Sequence, residues 1–168
     1  MPEDARAIAN FLLSLAWSRG LEVSHLQLQK ILFFAHAWHL GKYGEPLIGQ
    51  PFEAWQYGPV VRVVYDQLKR FRSDSVREKL TKIDVQTGGV IEARASFSEE
   101  KTQFLIDLFE YYHSFHPYNL VDLTHERDGP WDKVWRKAGD GAVAGMAIPN
   151  ESIKLWILRA GGNGVRPL

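Results

Sequence analysis

Apolar residues recur along this chain with the three-and-four spacing of amphipathic helices, beginning with Ile8, Phe11, Leu12 and Leu15 behind a capping Asp4. Gly20 closes that run. A second helix is predicted over Ser24–Tyr43. Ser24 and Gln27 have the spacing of a reciprocal capping box, and Val23 and Leu28 that of a hydrophobic staple across it. Leu28, Ile31, Leu32, Ala35 and Trp38 form one stripe on this helix, and Leu26, Phe33, Phe34, Ala37 and Leu40 form another. A helix apolar on most sides belongs in the middle of its domain. Gly41 or Gly44 ends it, and Pro46 prevents continuation.

The pattern then breaks. Pro51–Pro59 holds two prolines, three aromatics and a glycine, which predicts an extended segment and a turn, with Pro59 as the first residue of a third helix carrying Val61, Val64, Leu68 and Phe71. Residues 72–89 read as a polar surface excursion. Val90–Phe97 reads as a strand, pairing with an extended piece around Ile83–Gln86 across Gly88-Gly89.

Ser98 caps a helix with Leu105, Leu108, Phe109 and Tyr112 inward, Glu99 and Glu100 suiting its positive end, and Pro117 is expected to stop it. Asn119 is the expected cap of a short helix through Leu120, Leu123 and Thr124. Pro130 opens another through Trp131, Val134 and Trp135. Pro149-Asn150 precedes the last, with Ile153, Trp156 and Ile157 on one face. Gly139–Gly145 reads as a loop, and the tail Gly161–Leu168 as mobile. The expected fold is mainly α, a compact single-domain helical bundle over residues 1–160 around a central buried helix, with a small β-hairpin or short strands.

Composition adds bounds. With 168 residues, 45% of them hydrophobic, the chain can bury a real core, and six tryptophans supply core volume or binding anchors. Twenty basic residues balance twenty acidic ones, which removes any global attraction to phosphate backbones. No cysteine is present, so thiolate metal sites and cysteine nucleophiles are excluded. Nothing at the N-terminus reads as a signal peptide and no apolar run is long enough to span a membrane, so the expected location is the cytoplasm.

The search for chemistry is mostly negative. His36 and His39 stand three apart, as do His113 and His116, without the HExxH spacing of a zinc site. Packed histidines with one hydrogen bond each are the expectation for the first pair. A metalloenzyme using His36 and His39 with His125 or an acidic residue is the alternative. Asp122, His125 and Glu126 read as a surface cluster. No Gly-x-Ser-x-Gly elbow or Ser-x-x-Lys motif is found, and Gly161-Gly162-Asn163-Gly164 lacks both strand and lysine of a phosphate loop. Arg62–Lys82 holds seven basic residues against three acidic, suited to an acidic partner or to a solvated helix face; a DNA-binding regulator is a further alternative. Trp55-Gln56-Tyr57-Gly58-Pro59-Val60 is the most distinctive segment: it either closes the core beside Trp38 or presents an aromatic anchor.

Leu28-Gln29-Lys30-Ile31-Leu32-Phe33-Phe34-Ala35-His36-Ala37-Trp38-His39-Leu40, then Gly44-Glu45-Pro46-Leu47 and Glu53-Ala54-Trp55-Gln56-Tyr57-Gly58-Pro59-Val60, resembles the Panacea domain of SocA-like antitoxins and phage-associated proteins. Leu123-Thr124-His125, Pro130-Trp131 and Ile148-Pro149-Asn150-Glu151-Ser152-Ile153 extend the likeness from about Leu26 to Trp156, while residues 72–97 depart from it. The resemblance implies an antitoxin that neutralises a cognate protein toxin, encoded by the adjacent gene, through direct protein contact. A proteolytic adaptor delivering the toxin to a protease is the alternative. It implies no catalytic residue; with the spacing, charge and apolar runs above, no metal, no cofactor, no nucleic acid and no membrane are expected as partners. Trp55, Tyr57, Arg62, Lys69 and Arg70 are the candidate partner-binding residues.

Overall fold

The computed structural model describes residues 1–139 and 146–160. The predicted loop over 140–145 and the tail over 161–168, and with it the division of the chain at residue 160, lie outside the described residues. The fold is mainly α. In chain order the elements are α1 (Ala5–Ser18), α2 (His25–Tyr43), β1 (Glu53–Trp55), β2 (Gly58–Val60), α3 (Arg62–Leu68), β3 (Thr81–Ile83), β4 (Val90–Glu92), α4 (Glu99–His113), α5 (Pro117–Thr124), α6 (Pro130–Lys137) and α7 (Asn150–Ala160). No helix among the described residues is long and apolar enough to cross a membrane.

Helix α2 is the centre. It is packed by α1, α3, α4, α5, α7 and β2. Leu28, Ile31, Leu32, Phe33, Phe34, Ala35 and Ala37 are wholly buried, so both predicted stripes are inside. Two members differ: Leu26 and Trp38 are only partly buried. Phe34 stacks on Tyr112 of α4, ring centroids 4.3 Å apart, and touches Trp156 of α7. Trp38 donates its indole N–H to the Tyr112 hydroxyl at 2.7 Å.

Local signals decide the ends. Ser24 accepts from the Gln27 amide, but the Gln27 side chain donates to the His113 carbonyl on α4, so the reciprocal box is half-formed. A tertiary acceptor wins over the local one. Gly44, at φ 74°, closes α2 in the left-handed conformation, and Gly41 stays helical. Pro117 does not stop α4; Ser114 does, and Pro117 occupies the first turn of α5 with His116 in place of Asn119 as its cap. Pro130 opens α6 as expected.

Pro59 does not start α3. It lies in β2 opposite Ala54, and α3 begins at Arg62. The β1–β2 ribbon gains a third extended neighbour, since Ala54 N–H donates to the Met146 carbonyl and Ile148 N–H to that of Phe52. A β3–β4 hairpin also forms, but pairs Thr81–Ile83 with Val90–Glu92, and residues after Ile83 belong to the turn. Asn10 of α1 fixes its base: the side-chain amide donates to the Leu80 and Ala93 carbonyls and accepts from Leu80 N–H, all at 2.8 Å.

Candidate partner-binding site

The β1–β2 ribbon turns through only Gln56 and Tyr57, and the turn is possible because Gly58 takes φ 98°. A Cβ at Gly58 would also stand 2.6 Å from Thr124 Oγ1 and 3.0 Å from Lys30 Cε. The ribbon therefore lies directly on α2 and α5, and it carries Trp55 and Tyr57 to the surface. Tyr57 is 55% exposed.

Beneath the ribbon, α2 offers polar groups where its sequence is otherwise apolar. Gln29 clamps residue 61, its side chain accepting from Val61 N–H at 2.9 Å and donating to the Val61 carbonyl at 3.2 Å. Lys30 is wholly buried and donates to the Pro59 carbonyl at 2.8 Å. Burial alone pushes its amine down to about 7. His25, set against Tyr65, is pushed down to about 4, first by burial and then by the charge of Lys30.

These groups surround a cavity of about 310 Å³ lined by His25, Lys30, Trp55, Tyr57, Tyr65 and Arg72, among others. Trp55 packs on Tyr65 with ring centroids 4.5 Å apart. Trp131 of α6 donates to the Trp55 carbonyl at 2.8 Å from behind. The segment thus closes against Tyr65 and Trp131, and Trp38, which the sequence set beside it, bonds elsewhere.

The five candidate residues separate. Trp55 and Tyr57 line the cavity. Arg62 is held in a fork by Glu53, with bonds of 3.0 and 2.9 Å, and its guanidinium lies 5.5 Å from the Trp55 ring centroid. Lys69 pairs with Asp66 and Arg70 with Glu78, both on the exposed surface outside the cavity lining. The sequence missed Lys30, Gln29, His25, Tyr65 and Arg72. A lysine and two glutamines within a helix apolar on every side were the available signal for the first two.

The histidines have structural partners. His36 Nε2 donates to Asn150 Oδ1 at 2.9 Å while Nδ1 accepts from Ile48 N–H at 3.2 Å, so it makes two bonds where one was expected. His39 donates to the Glu45 carbonyl at 2.7 Å. Burial pushes His36 down to about 4. His125 is not on a free surface: its ring stacks on Trp131 at 3.7 Å and its Nε2 is buried without a hydrogen-bond partner among the described residues. Glu126 accepts from the Trp156 indole. Among the described residues no three histidine, aspartate or glutamate side chains come together to hold a metal.

Residues 28–132, which include most of α2, the whole ribbon and all of the cavity lining except His25 and Leu26, match the model of the family described as antitoxin SocA-like, Panacea domain. Antitoxin SocA of Caulobacter vibrioides (strain NA1000 / CB15N) is 32% identical over 151 residues, covering 90% of this chain and 80% of that one. No solved structure matches significantly. With a family match spanning more than half of its length and a relative aligned along most of it, this chain is a member of the SocA-like antitoxin, Panacea domain family.

Proposed function

We propose that this protein neutralises a cognate toxin, the product of the adjacent gene, by direct contact through the face that carries Trp55 and Tyr57, and that it acts in the cytoplasm without catalysing a reaction. The observation that carries the reading is the position of the cavity: all of its lining except His25 and Leu26 lies within the segment matched to an antitoxin family, and its rim holds a large aromatic side chain exposed by 55%. Aromatic anchors beside a pocket are the usual energetic centre of a protein interface. Arg62, Lys69 and Arg70 are already paired on this chain, so they contribute at the rim, where exposed ion pairs add little.

The test is co-expression. The neighbouring gene product should arrest growth alone, be harmless beside this chain, and copurify with it. Tyr57→Ala should weaken rescue while leaving the melting temperature unchanged, because Tyr57 is exposed. A neighbour that is harmless alone, or a toxic one that does not bind, refutes the reading.

One observation favours the second reading, that the protein also delivers its toxin to a protease. An adaptor needs a second surface, and the β3–β4 hairpin offers one: Ile83, Val85, Val90 and Ile91 are 68%, 97%, 73% and 41% exposed. None of them lines the cavity. Val85→Lys with Val90→Lys should leave toxin binding intact but lengthen the toxin's lifetime in cells. Unchanged turnover refutes the adaptor reading.

A further inference from the structure

We infer that the cavity beneath Tyr57 receives a large apolar side chain of the partner protein together with the carboxylate of a neighbouring aspartate or glutamate, the carboxylate being read by Arg72. The inference rests on the toxin-binding reading and names the chemistry at its contact.

Size comes first. At about 310 Å³ the cavity stands at the lower bound of ligand sites, roughly 300–1,000 Å³, which suits one side chain rather than a nucleotide. Its walls are apolar or aromatic, from Leu26, Trp55, Tyr57, Val60 and Tyr65.

Charge comes next. No aspartate or glutamate lines the cavity, while Lys30 forms part of its floor and Arg72 part of its rim. Glu53, the nearest carboxylate in the ribbon, is engaged by Trp55 and Arg62. Arg62, Lys69 and Arg70 each have an acidic partner, whereas the Arg72 guanidinium has none among the described residues. Lys30 donates one bond, to Pro59, and its other protons have no acceptor among the described residues. A concave site with an unpaired guanidinium among its lining residues, a buried amine beneath it and no anion is complementary to an anion.

Backbone geometry is the third observation. Arg72 sits at φ 51° and ψ −118°, a conformation that L side chains rarely adopt, outside any glycine. Bonds from Arg72 N–H to the Lys69 carbonyl and from Asp74 N–H to that of Phe71 hold it there. Glycine would be the comfortable residue at this position; arginine is the one present, and it lines the cavity. Strain of this kind collects at binding sites. The cations among the lining residues are the side chains of Lys30 and Arg72, which suits an acidic side chain as the occupant.

The probe is the capped peptide acetyl-Glu-Phe-Glu-amide, titrated into the full chain and read from the Trp55 indole N–H by NMR. Saturable shifts are expected, with acetyl-Gln-Phe-Gln-amide binding about tenfold more weakly or worse. Equal binding of the two peptides, or no shift with either, overturns the inference. So does N-acetyl-phenylalanine binding as tightly as the acidic peptide, which would make the site one for a small carboxylate. An effect of Arg72→Glu confined to self-association in sedimentation would assign the cavity to a second copy of this chain and overturn it too.

Arg72→Gly separates recognition from folding. It should raise the melting temperature by about 2–4 °C and at the same time weaken both the acidic peptide and the toxin about tenfold. A merely structural Arg72 would move stability and affinity together. If the wild-type chain binds its toxin and Arg72→Gly binds it equally well, this inference fails and the antitoxin reading stands. If the wild-type chain binds no toxin, it is the antitoxin reading that fails.

Discussion

Replacing Lys30 with methionine should change how stability depends on pH. The amine is wholly buried and titrates at about 7, against an ordinary lysine value of 10.5. Between those values the unfolded chain binds one proton more than the native chain, so stability rises with pH across that window. Below the native value both states are protonated and the slope disappears. Each unit between the two values is worth about 1.4 kcal/mol, so from about pH 6.5 to about pH 9 this one group should add roughly 2.5 kcal/mol. Methionine has similar length and no charge, but leaves the Pro59 carbonyl without its donor, at a cost of about 1–3 kcal/mol that is independent of pH. The sign of the stability difference at any one pH is therefore uninformative. Its change with pH is informative. Urea unfolding of both proteins, run as paired series across that range, cancels every other titrating group in the subtraction. The stability of Lys30→Met relative to wild type should fall by roughly 2.5 kcal/mol from the acidic to the alkaline end. Parallel profiles would refute the reasoning, because they would mean that the buried amine keeps its solution affinity for protons.

Gly58→Ala combines an unfavourable φ of 98° with a Cβ 2.6 Å from Thr124 Oγ1, and should cost about 2 kcal/mol or more, lowering the melting temperature by roughly 4–8 °C; an unchanged melting temperature would show that the ribbon does not lie on α5 as described. Phe34→Ala removes a buried ring stacked on Tyr112 and should cost about 3–5 kcal/mol in urea unfolding. His36, pushed down from 6.5 to about 4, leaves the unfolded chain with the extra proton in that interval, so its contribution is present above 6.5 and is lost as pH falls towards 4. That loss amounts to roughly 3 kcal/mol, and acid unfolding of His36→Gln should lack it.

The elements that sequence predicted best are those decided locally. Asp4, Ser24 and Ser98 cap the helices expected of them, and Gly44 closes α2. Elements decided by tertiary partners were displaced. Pro59 looks like a helix start because its missing amide is harmless there, but it is equally harmless in a two-stranded ribbon whose pairing with Ala54 does not need it. The hairpin register is set by Asn10, seventy and more residues away in sequence, gripping Leu80 and Ala93. No local pattern announces that grip. At the site, the aromatic segment was legible because Trp, Tyr, Gly and Pro stand out in a short window. Arg72 was not, since neither its φ nor the lack of an acidic partner for its guanidinium among the described residues can be read from a charged stretch in which Arg62, Lys69 and Arg70 look the same.

Helix α2 explains how one scaffold can support a surface that reads a particular partner. Its apolar residues pack on all sides and would by themselves tolerate rotation or sliding, since burial is not directional. Its polar residues remove that freedom. Gln27 holds α4 through His113, Gln29 holds the start of α3 through Val61, Lys30 holds the ribbon through Pro59, and His36 holds both the Ile48 segment and α7. Each bond joins a buried side chain to a different element, so each fixes the register of one neighbour at the cost of an unsatisfied group if it slips. Two of these contacts, at Val61 and Pro59, lie under the Tyr57 cavity. The cavity's floor is thus built by the same bonds that hold α2 in place, whereas its rim residues Tyr57 and Arg72 make no such bonds from their side chains to the described residues. Substitution at the rim can change what is bound without disturbing the helix beneath it.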